Sequence, residues 1–261
     1  MNSQTAGPRE IALQTHENYY AQGNFSADRL TWTLNTFLPP AGVGQALEIG
    51  CGDGAMLNLL AERGINAVGV DASSSGIEEC VSRGCRAHCL DASTDNLPFE
   101  DESFDLVICL ETIEHLMNPH YALSEVRRVL RPHGRFLCSI PNPLTGHPFL
   151  YPGLFEYKSF QLFLRQEGFA IQRVLPWQWA PRETILPISF RQVPLLNSRV
   201  VSGGLRRILE KSYRAVGAFP FFCYWLWTFQ CERDLSFKVD PHQLLARRTQ
   251  PGTPSHFTVS R

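Results

Sequence analysis

The stretch LEIGCGDG at residues 47–54 decides the fold of this 261-residue chain. Apolar residues before the first glycine are typical of a buried strand, and glycines then occupy positions 50, 52 and 54. Because glycine has no Cβ atom, the chain can turn tightly there and approach a ligand closely. Apolar residues at helical spacing come next and stop at Gly64. A strand, a glycine loop and a helix in this order predict a nucleotide-type cradle in an open α/β sheet.

Four predicted strands end in, or next to, an acidic residue. The acids are Glu48, Asp71, Asp91 and Glu111. Ligands of open α/β sheets bind at the carboxyl ends of the strands, so we expect these side chains to converge. Asp71 lies 17 residues beyond Gly54, where a doubly wound fold places the acid that accepts the ribose hydroxyls.

The order and spacing of these motifs resemble the class I S-adenosylmethionine-dependent methyltransferases, in particular the small-molecule branch with the ubiquinone-type O-methyltransferases. The matching segments are LEIGCGDG at 47–54, VGVDAS at 68–73, LDAS at 90–93, LPFEDESFDLVIC at 97–109 and RPHGRFLCSIPN at 131–142. The resemblance implies an α/β, doubly wound Rossmann-like sheet, mostly parallel with a final antiparallel strand, in the order 3-2-1-4-5-7-6. It also implies S-adenosyl-L-methionine as the cofactor.

The resemblance assigns cofactor-binding residues position by position. The glycine loop would take the methionyl part, Asp71 the ribose, and Asp91 with Ala92 the adenine. The full predicted set is Glu48, Gly50, Gly52, Asp53, Asp71, Asp91, Ala92 and Leu110. A nicotinamide-dependent oxidoreductase is the alternative, but its fingerprint is G-x-G-x-x-G, whereas this chain has G-x-G-x-G.

The segment after the fourth predicted strand carries Glu111, Glu114 and His115. Methyl transfer from a sulfonium is an in-line displacement, and a hydroxyl acceptor needs a base or a cation that lowers its pKa. His115 could be a base oriented by a glutamate, or all three side chains could bind a hard divalent ion. Their spacing predicts that one helical turn presents them together. We therefore predict Glu111, Glu114 and His115 as catalytic residues.

This E-x-x-E-H pattern also resembles metal-dependent members of the superfamily, including ubiquinone-pathway and small-RNA 2′-O-methyltransferases. The RNA-directed members have another histidine just before a segment similar to residues 155–157, where this chain has Pro, Gly and Leu. His147 could replace it, although no spacing requires that. We therefore assign no metal ligand. Two alternatives stay open: the three side chains bind an ion, or Glu111 and Glu114 lie in a solvated first turn of a helix.

The acceptor atom is predicted to be oxygen. The Asp/Asn-Pro-Pro-aromatic motif of amino-directed base methyltransferases is missing, and Cys109, Leu110 and Glu111 stand in its place. We expect O-methylation of a small molecule or of a lipid- or sugar-linked acceptor. A methyltransferase-like protein that binds cofactor without turnover is the alternative.

The composition excludes some classes of protein. A net charge of −1, from 24 basic and 25 acidic side chains, gives no reason to expect nucleic-acid binding. The first residues contain no apolar signal segment, and the eight cysteines include no C-x-x-C pair. We therefore expect a cytoplasmic protein without a zinc site.

We predict four regions along the chain. They are an N-terminal segment with a cap helix (1–42), a methyltransferase core (43–175), a variable insertion with the last strand (176–233) and a disordered tail (234–261). The apolar run at 219–231 is predicted to be a core strand. The alternative is that this run and the basic segment at 205–216 form a peripheral membrane contact, which would suit a lipid-linked acceptor.

Overall fold

The computed structural model describes residues 27–38, 42–145, 147, 150–151, 153–179 and 224–238. Its helices are α1 (Ala27–Phe37), α2 (Ala55–Ala61), α3 (Ser74–Ser82), α4 (Pro119–Val129) and α5 (Tyr157–Gln166), with short 3₁₀ turns at Ile113–His115 and Pro143–Thr145. Its strands are β1 (Gln45–Ile49), β2 (Asn66–Asp71), β3 (Ala87–Cys89), β4 (Phe104–Leu110), β5 (Leu130–Pro141), β6 (Phe169–Trp179) and β7 (Tyr224–Arg233).

The described strands form one sheet in the order β3-β2-β1-β4-β5-β7-β6. The strands from β1 to β5 run parallel, and β7 lies antiparallel between β5 and β6. This architecture confirms the predicted fold class and strand order. The carboxyl ends of β1, β2, β3 and β4 therefore lie at one edge, which is where such sheets bind their ligands.

The central strand β4 shows why the sequence folds in this way. All its residues except Asp105 are buried, because the strand is paired on both sides and covered on both faces. Helices α4 and α5 pack on one face of the sheet through their hydrophobic residues, and helices α1 and α2 pack on the other face in the same way. Helix α1 contributes Leu30, Leu34 and Phe37 to the second of these clusters.

Helix boundaries follow local capping chemistry. The Asn118 side chain accepts a hydrogen bond of 3.0 Å from the Tyr121 N–H, and Pro119 occupies the first helical position of α4. Gly64 and Gly84 follow α2 and α3 with φ of 72° and 83°, the left-handed conformation that glycine adopts without strain. The predicted stops at these glycines therefore have a backbone cause.

The apolar run at 219–231 is a core strand where the structure describes it. Strand β7 buries Leu226, Trp227, Phe229 and Cys231 between its two neighbours. Because those side chains are buried in the core, they are not on a surface that could contact a membrane. The basic segment at 205–216 lies outside the described residues. No helix within the described ranges combines the length and apolar character needed to cross a membrane.

Candidate active site

The glycine loop between β1 and α2 is held in a left-handed conformation. Gly50, Gly52 and Gly54 have φ of 76°, 48° and 80°. The N–H groups of Gly50 and Cys51 donate to the Val70 carbonyl at 2.8 and 3.2 Å. A Cβ atom at Gly50 would lie 2.2 Å from Oγ1 of Thr112, so that position has no room for a side chain. The loop is therefore fixed against both β2 and the segment after β4.

An open cleft lies at the carboxyl edge of the sheet. Its walls include Gly50, Asp71, Asp91, Ala92 and His115. Residues from four separate strand ends, all predicted from the sequence, thus share one cleft. Glu48, Gly52, Asp53, Leu110, Glu111 and Glu114 are not among its lining residues.

Asp71 is oriented by backbone donors at the end of β2. Its carboxylate accepts hydrogen bonds from the Gly52 N–H at 2.9 Å and from the Ser73 N–H at 2.8 Å. A carboxylate has about four acceptor positions, so both oxygens can accept further hydrogen bonds. The buried Asp71 side chain is therefore held in one orientation at the cleft wall.

Asp53 has a different environment from the other predicted cofactor residues. Its side chain pairs with the partly exposed Arg83 at 2.7 Å and accepts from the Ala55 N–H at 3.1 Å. These contacts position the start of α2. A role toward the methionyl group stays a prediction for this residue.

Glu48 is a buried carboxylate below the loop. Burial, together with the nearby Asp71, raises its pKa well above the ordinary value. Its Oε2 atom has no hydrogen-bond partner among the described residues. A buried acceptor left without a partner costs free energy, so this site favours a proton or a cation.

The expectation that one helical turn presents Glu111, Glu114 and His115 together is wrong. Glu111 has φ of 48° and precedes the 3₁₀ turn, which begins only at Ile113. Its side chain forms a buried ion pair with Arg29 of α1. The left-handed backbone turns Glu111 toward the helix that covers that side of the sheet.

Arg29 is the residue that sequence reasoning missed. It is 82 positions away from Glu111, and an arginine in an amphipathic helix is ordinarily exposed. Here its side chain is only 7% exposed, and its charge partly offsets the rise that burial causes in the pKa of Glu48 and of Glu114. No local pattern indicated this contact.

Glu114, His115 and His147 form the polar cluster of the site. The Nε2 atoms of the two histidines lie 3.1 Å apart, and Glu114 Oε1 lies 3.9 Å from His115 Nε2 and 3.7 Å from His147 Nε2. One potential ligand atom from each residue falls within 4.8 Å of the others. The His147 position was predicted only as an option, and the structure brings it to this cluster.

Burial controls the chemistry of this cluster. Glu114 is fully buried, which excludes the alternative of a solvated first turn. Burial, with the neighbouring Glu111, raises the pKa of Glu114, and neither of its carboxylate oxygens has a hydrogen-bond partner within the described ranges. Burial lowers the pKa of His147, which favours the neutral imidazole. The cluster therefore offers the neutral imidazole of His147 beside a carboxyl group, that of Glu114, which favours a proton or a cation.

The loop after β5 forms one side of this region. Tyr151 donates to the Met117 carbonyl at 2.8 Å, which ties the loop to the segment after the 3₁₀ turn. Phe155 is fully buried, whereas Leu144 and Leu150 are exposed on either side of His147 in the sequence. Phe149 of the same loop lies outside the described residues.

Part of this chain is similar to known methyltransferases. Residues 47–138 match the family described as "Methyltransferase domain". A probable S-adenosylmethionine-dependent methyltransferase of Mycolicibacterium smegmatis is 36% identical over 102 residues, covering 39% of this chain and 40% of that protein. A ubiquinone biosynthesis O-methyltransferase of Albidiferax ferrireducens is 31% identical over 125 residues, covering 44% of this chain and 47% of that protein.

Solved structures show the same fold. A SAM-dependent methyltransferase from Archaeoglobus fulgidus superposes with a TM-score of 0.61 at 19% identity, covering 84% of this chain and 99% of that one. Residues 47–138 thus match a methyltransferase domain, and relatives of this part of the chain are described as S-adenosylmethionine-dependent methyltransferases, in agreement with the resemblance seen in the sequence. The chain spans about half the length of the curated relatives it matches.

Proposed function

We propose that this protein transfers the methyl group of S-adenosylmethionine to an oxygen atom of a small molecule or of a lipid- or sugar-linked acceptor. The proposal rests on the cluster of Glu114, His115 and His147, because His115 also forms part of the cleft wall. A base beside the cleft is what a hydroxyl acceptor requires, since its oxygen attacks only as the proton leaves.

The residues around the cleft fit a cationic cofactor. S-adenosylmethionine carries a sulfonium and an ammonium group, and Glu48 is a buried carboxylate with an oxygen that lacks a partner within the described residues. We assign the methionyl ammonium to the Glu48 side of the loop, where it would supply the missing charge. Asp71 is assigned to the ribose hydroxyls, and Asp91 with Ala92 to the adenine, as their places on the wall allow.

His115 is the proposed base. Displacement at a sulfonium is in line, so alignment and deprotonation of the acceptor are the tasks left to the protein. The short Nε2 to Nε2 distance fits a proton shared between His115 and His147. Glu114, close to both nitrogens, would stabilise the positive charge that the pair gains when it takes the acceptor proton.

A divalent cation is the second candidate for the same task, because the donor set fits one. One carboxylate and two imidazoles are ligands that zinc and other divalent transition metals bind. Glu114, His115 and His147 would hold the ion, and the ion would lower the pKa of the acceptor hydroxyl. Glu111 would stay outside this set, because Arg29 pairs with it.

The proposed acceptor has an apolar part. The ubiquinone biosynthesis O-methyltransferase among the relatives supports a phenol or a quinone precursor. Leu144 and Leu150, exposed on the loop that carries His147, would contact the apolar portion of such a molecule.

Calorimetry tests the cofactor assignment. We expect S-adenosylmethionine to bind and NAD to bind far more weakly, and Asp71→Ala to lose at least about tenfold in affinity. Asp101→Ala is the matched control, because that carboxylate is exposed and pairs with Arg128 on the surface. Equal or tighter binding of NAD would overturn the methyltransferase function.

Turnover tests the catalytic cluster. In a screen of phenols, quinone precursors and sugars, we expect His115→Ala to lower kcat about 10²–10⁴-fold with cofactor affinity retained. His88→Ala is the control, since His88 is exposed on β3. Unchanged turnover in His115→Ala would remove this residue from the mechanism. Cofactor binding with no turnover on any acceptor would favour the non-enzymatic alternative.

Metal analysis separates the two candidate mechanisms. Equimolar zinc or manganese after dialysis, lost in His147→Ala, would support the bound ion. Retained turnover in a chelator would instead favour the shared proton.

A further inference from the structure

Helix α3 ends in a Schellman motif that places two cysteines side by side. The Gly84 N–H donates to the Val81 carbonyl at 2.9 Å, and the Cys85 N–H donates to the Cys80 carbonyl at 3.2 Å. In this motif the two residues joined by the longer-range hydrogen bond also bring their side chains into contact. The sequence SRGC after Val81 therefore sets Cys85 against Cys80.

A third thiol joins them from the glycine loop. Cys51 lies between Gly50 and Gly52, and its side chain packs in the same hydrophobic cluster as Cys80. Cys51 and Cys80 are buried in this small separate cluster, and the partly buried Cys85 packs against it. The thiols thus lie directly behind the loop that faces the cofactor cleft.

The space between Gly54 and the sulfurs of Cys80 and Cys85 is too small for a side chain at position 54. A Cβ atom at Gly54 would lie 2.7 Å from Cys80 Sγ and 3.0 Å from Cys85 Sγ. The Cys85 thiol lies 3.7 Å from the Gly54 carbonyl and donates to the Asn58 side chain at 3.2 Å. A movement of either sulfur would therefore be transmitted to the start of α2.

The thiols differ in reactivity. The hydrogen bond from Cys51 is the main cause that lowers the pKa of Cys80 to about 7. Burial raises the pKa of Cys85 to about 11, so Cys85 keeps its proton as a donor. Thiolates, not thiols, attack oxidants, and Cys85 is the partly exposed member through which a small oxidant can approach.

We propose that Cys80 and Cys85 form a reversible disulfide in the presence of hydrogen peroxide, and that this disulfide weakens cofactor binding at the adjoining glycine loop. The Cys80 thiolate attacks the peroxide, the O–O bond breaks, and the hydroxide released takes a proton to give water. Cys85 then loses its proton and attacks the resulting sulfenic acid. The S–S bond forms, the S–O bond breaks, and the leaving hydroxide with the Cys85 proton gives a second water.

The disulfide would change the loop in two ways. It removes the Cys85 thiol proton that is donated to Asn58. It also draws the two sulfurs to about 2.0 Å from each other beneath Gly54, whose surroundings are already tight. The loss of affinity rests on the proposed cofactor site, whereas formation of the disulfide does not.

Mass spectrometry and calorimetry test the two parts separately. The full-length protein is treated with hydrogen peroxide, alkylated and digested, and a Cys80–Cys85 cross-linked peptide lighter by two hydrogen atoms is expected. Affinity for S-adenosylmethionine should fall about tenfold or more, and dithiothreitol should restore it.

Two cysteine variants test whether the loss of affinity depends on the disulfide. Cys85→Ser should retain its cofactor affinity after peroxide, whereas Cys89→Ser, which removes an exposed cysteine of β3, should lose affinity as the wild type does. Absence of the cross-link, or equal affinity of the oxidised and reduced proteins, would overturn the inference. Failure of the reduced wild type to bind S-adenosylmethionine would instead overturn the proposed function, with the cross-link still read by mass.

Discussion

Replacing Gly50 by alanine tests how closely the glycine loop is packed. At this position a side chain meets two costs, which are a left-handed φ of 76° and a contact of 2.2 Å with Thr112 Oγ1. The first costs about 1–2 kcal/mol for a residue with a Cβ atom. The second is an overpacking contact inside a buried site and costs about 1–3 kcal/mol. The free energy of unfolding should therefore fall by about 2–5 kcal/mol in total.

Gly64→Ala is the matched control for that change. Gly64 has almost the same φ, 72°, but a Cβ atom there would meet nothing within 4 Å. It should lose only the backbone cost of about 1–2 kcal/mol. Urea unfolding of both variants isolates the packing part, and thermal unfolding should shift by about 2–4 °C per kcal/mol.

Calorimetry with S-adenosylmethionine adds a functional readout. Gly50 lines the cleft and Gly64 does not, so only Gly50→Ala should weaken binding, by about tenfold or more. If the two variants unfold at the same urea concentration, the close approach of the loop to Thr112 is refuted.

Two charged side chains, Asp105 and Arg29, give further predictions. Burial would raise the pKa of Asp105, but hydrogen bonds from two backbone N–H groups and from Arg131 lower it below its ordinary value. Because the folded pKa lies below the unfolded one, the carboxylate stabilises the fold above the unfolded pKa, and this contribution is lost as pH falls through the folded pKa. Asp105→Asn should thus cost about 1–3 kcal/mol near pH 7 and progressively less toward pH 3 in urea titrations, and an equal loss at both pH values would contradict this. Arg29→Met should cost about 3–5 kcal/mol, because it leaves Glu111 buried without its cation. The double variant with Glu111→Leu should recover part of that loss, and the exposed Arg83→Met should stay within about 1 kcal/mol.

The sequence predicted the sheet because its signals are local. A buried parallel strand needs an apolar run such as FDLVICL at 104–110, and tight turns need glycine where φ is positive. These requirements act within a few residues, so the strand order of the family could be applied to this chain. The acids at the ends of β2 and β3 follow in the same way, since parallel strands end at one edge.

The candidate catalytic cluster could be predicted only in part. Glu114 and His115 were identified because they follow β4, but Glu111 was expected beside them in one helical turn. The backbone instead takes a left-handed conformation at Glu111, which local spacing does not encode. With this conformation the Glu111 side chain pairs with Arg29. His147, from the loop after β5, lies near Glu114 and His115 instead.

The sequence by itself thus determined the fold, the glycine loop and the acids at the strand ends, because each depends on residues next to it in the chain. Only the tertiary structure decided that Arg29 pairs with Glu111, that His147 meets His115, and that the thiols of α3 lie behind the loop. The two side-chain pairs join residues 82 and 32 positions apart. Such contacts depend on how helices and loops pack on the sheet, and packing is set by the whole core rather than by any one segment.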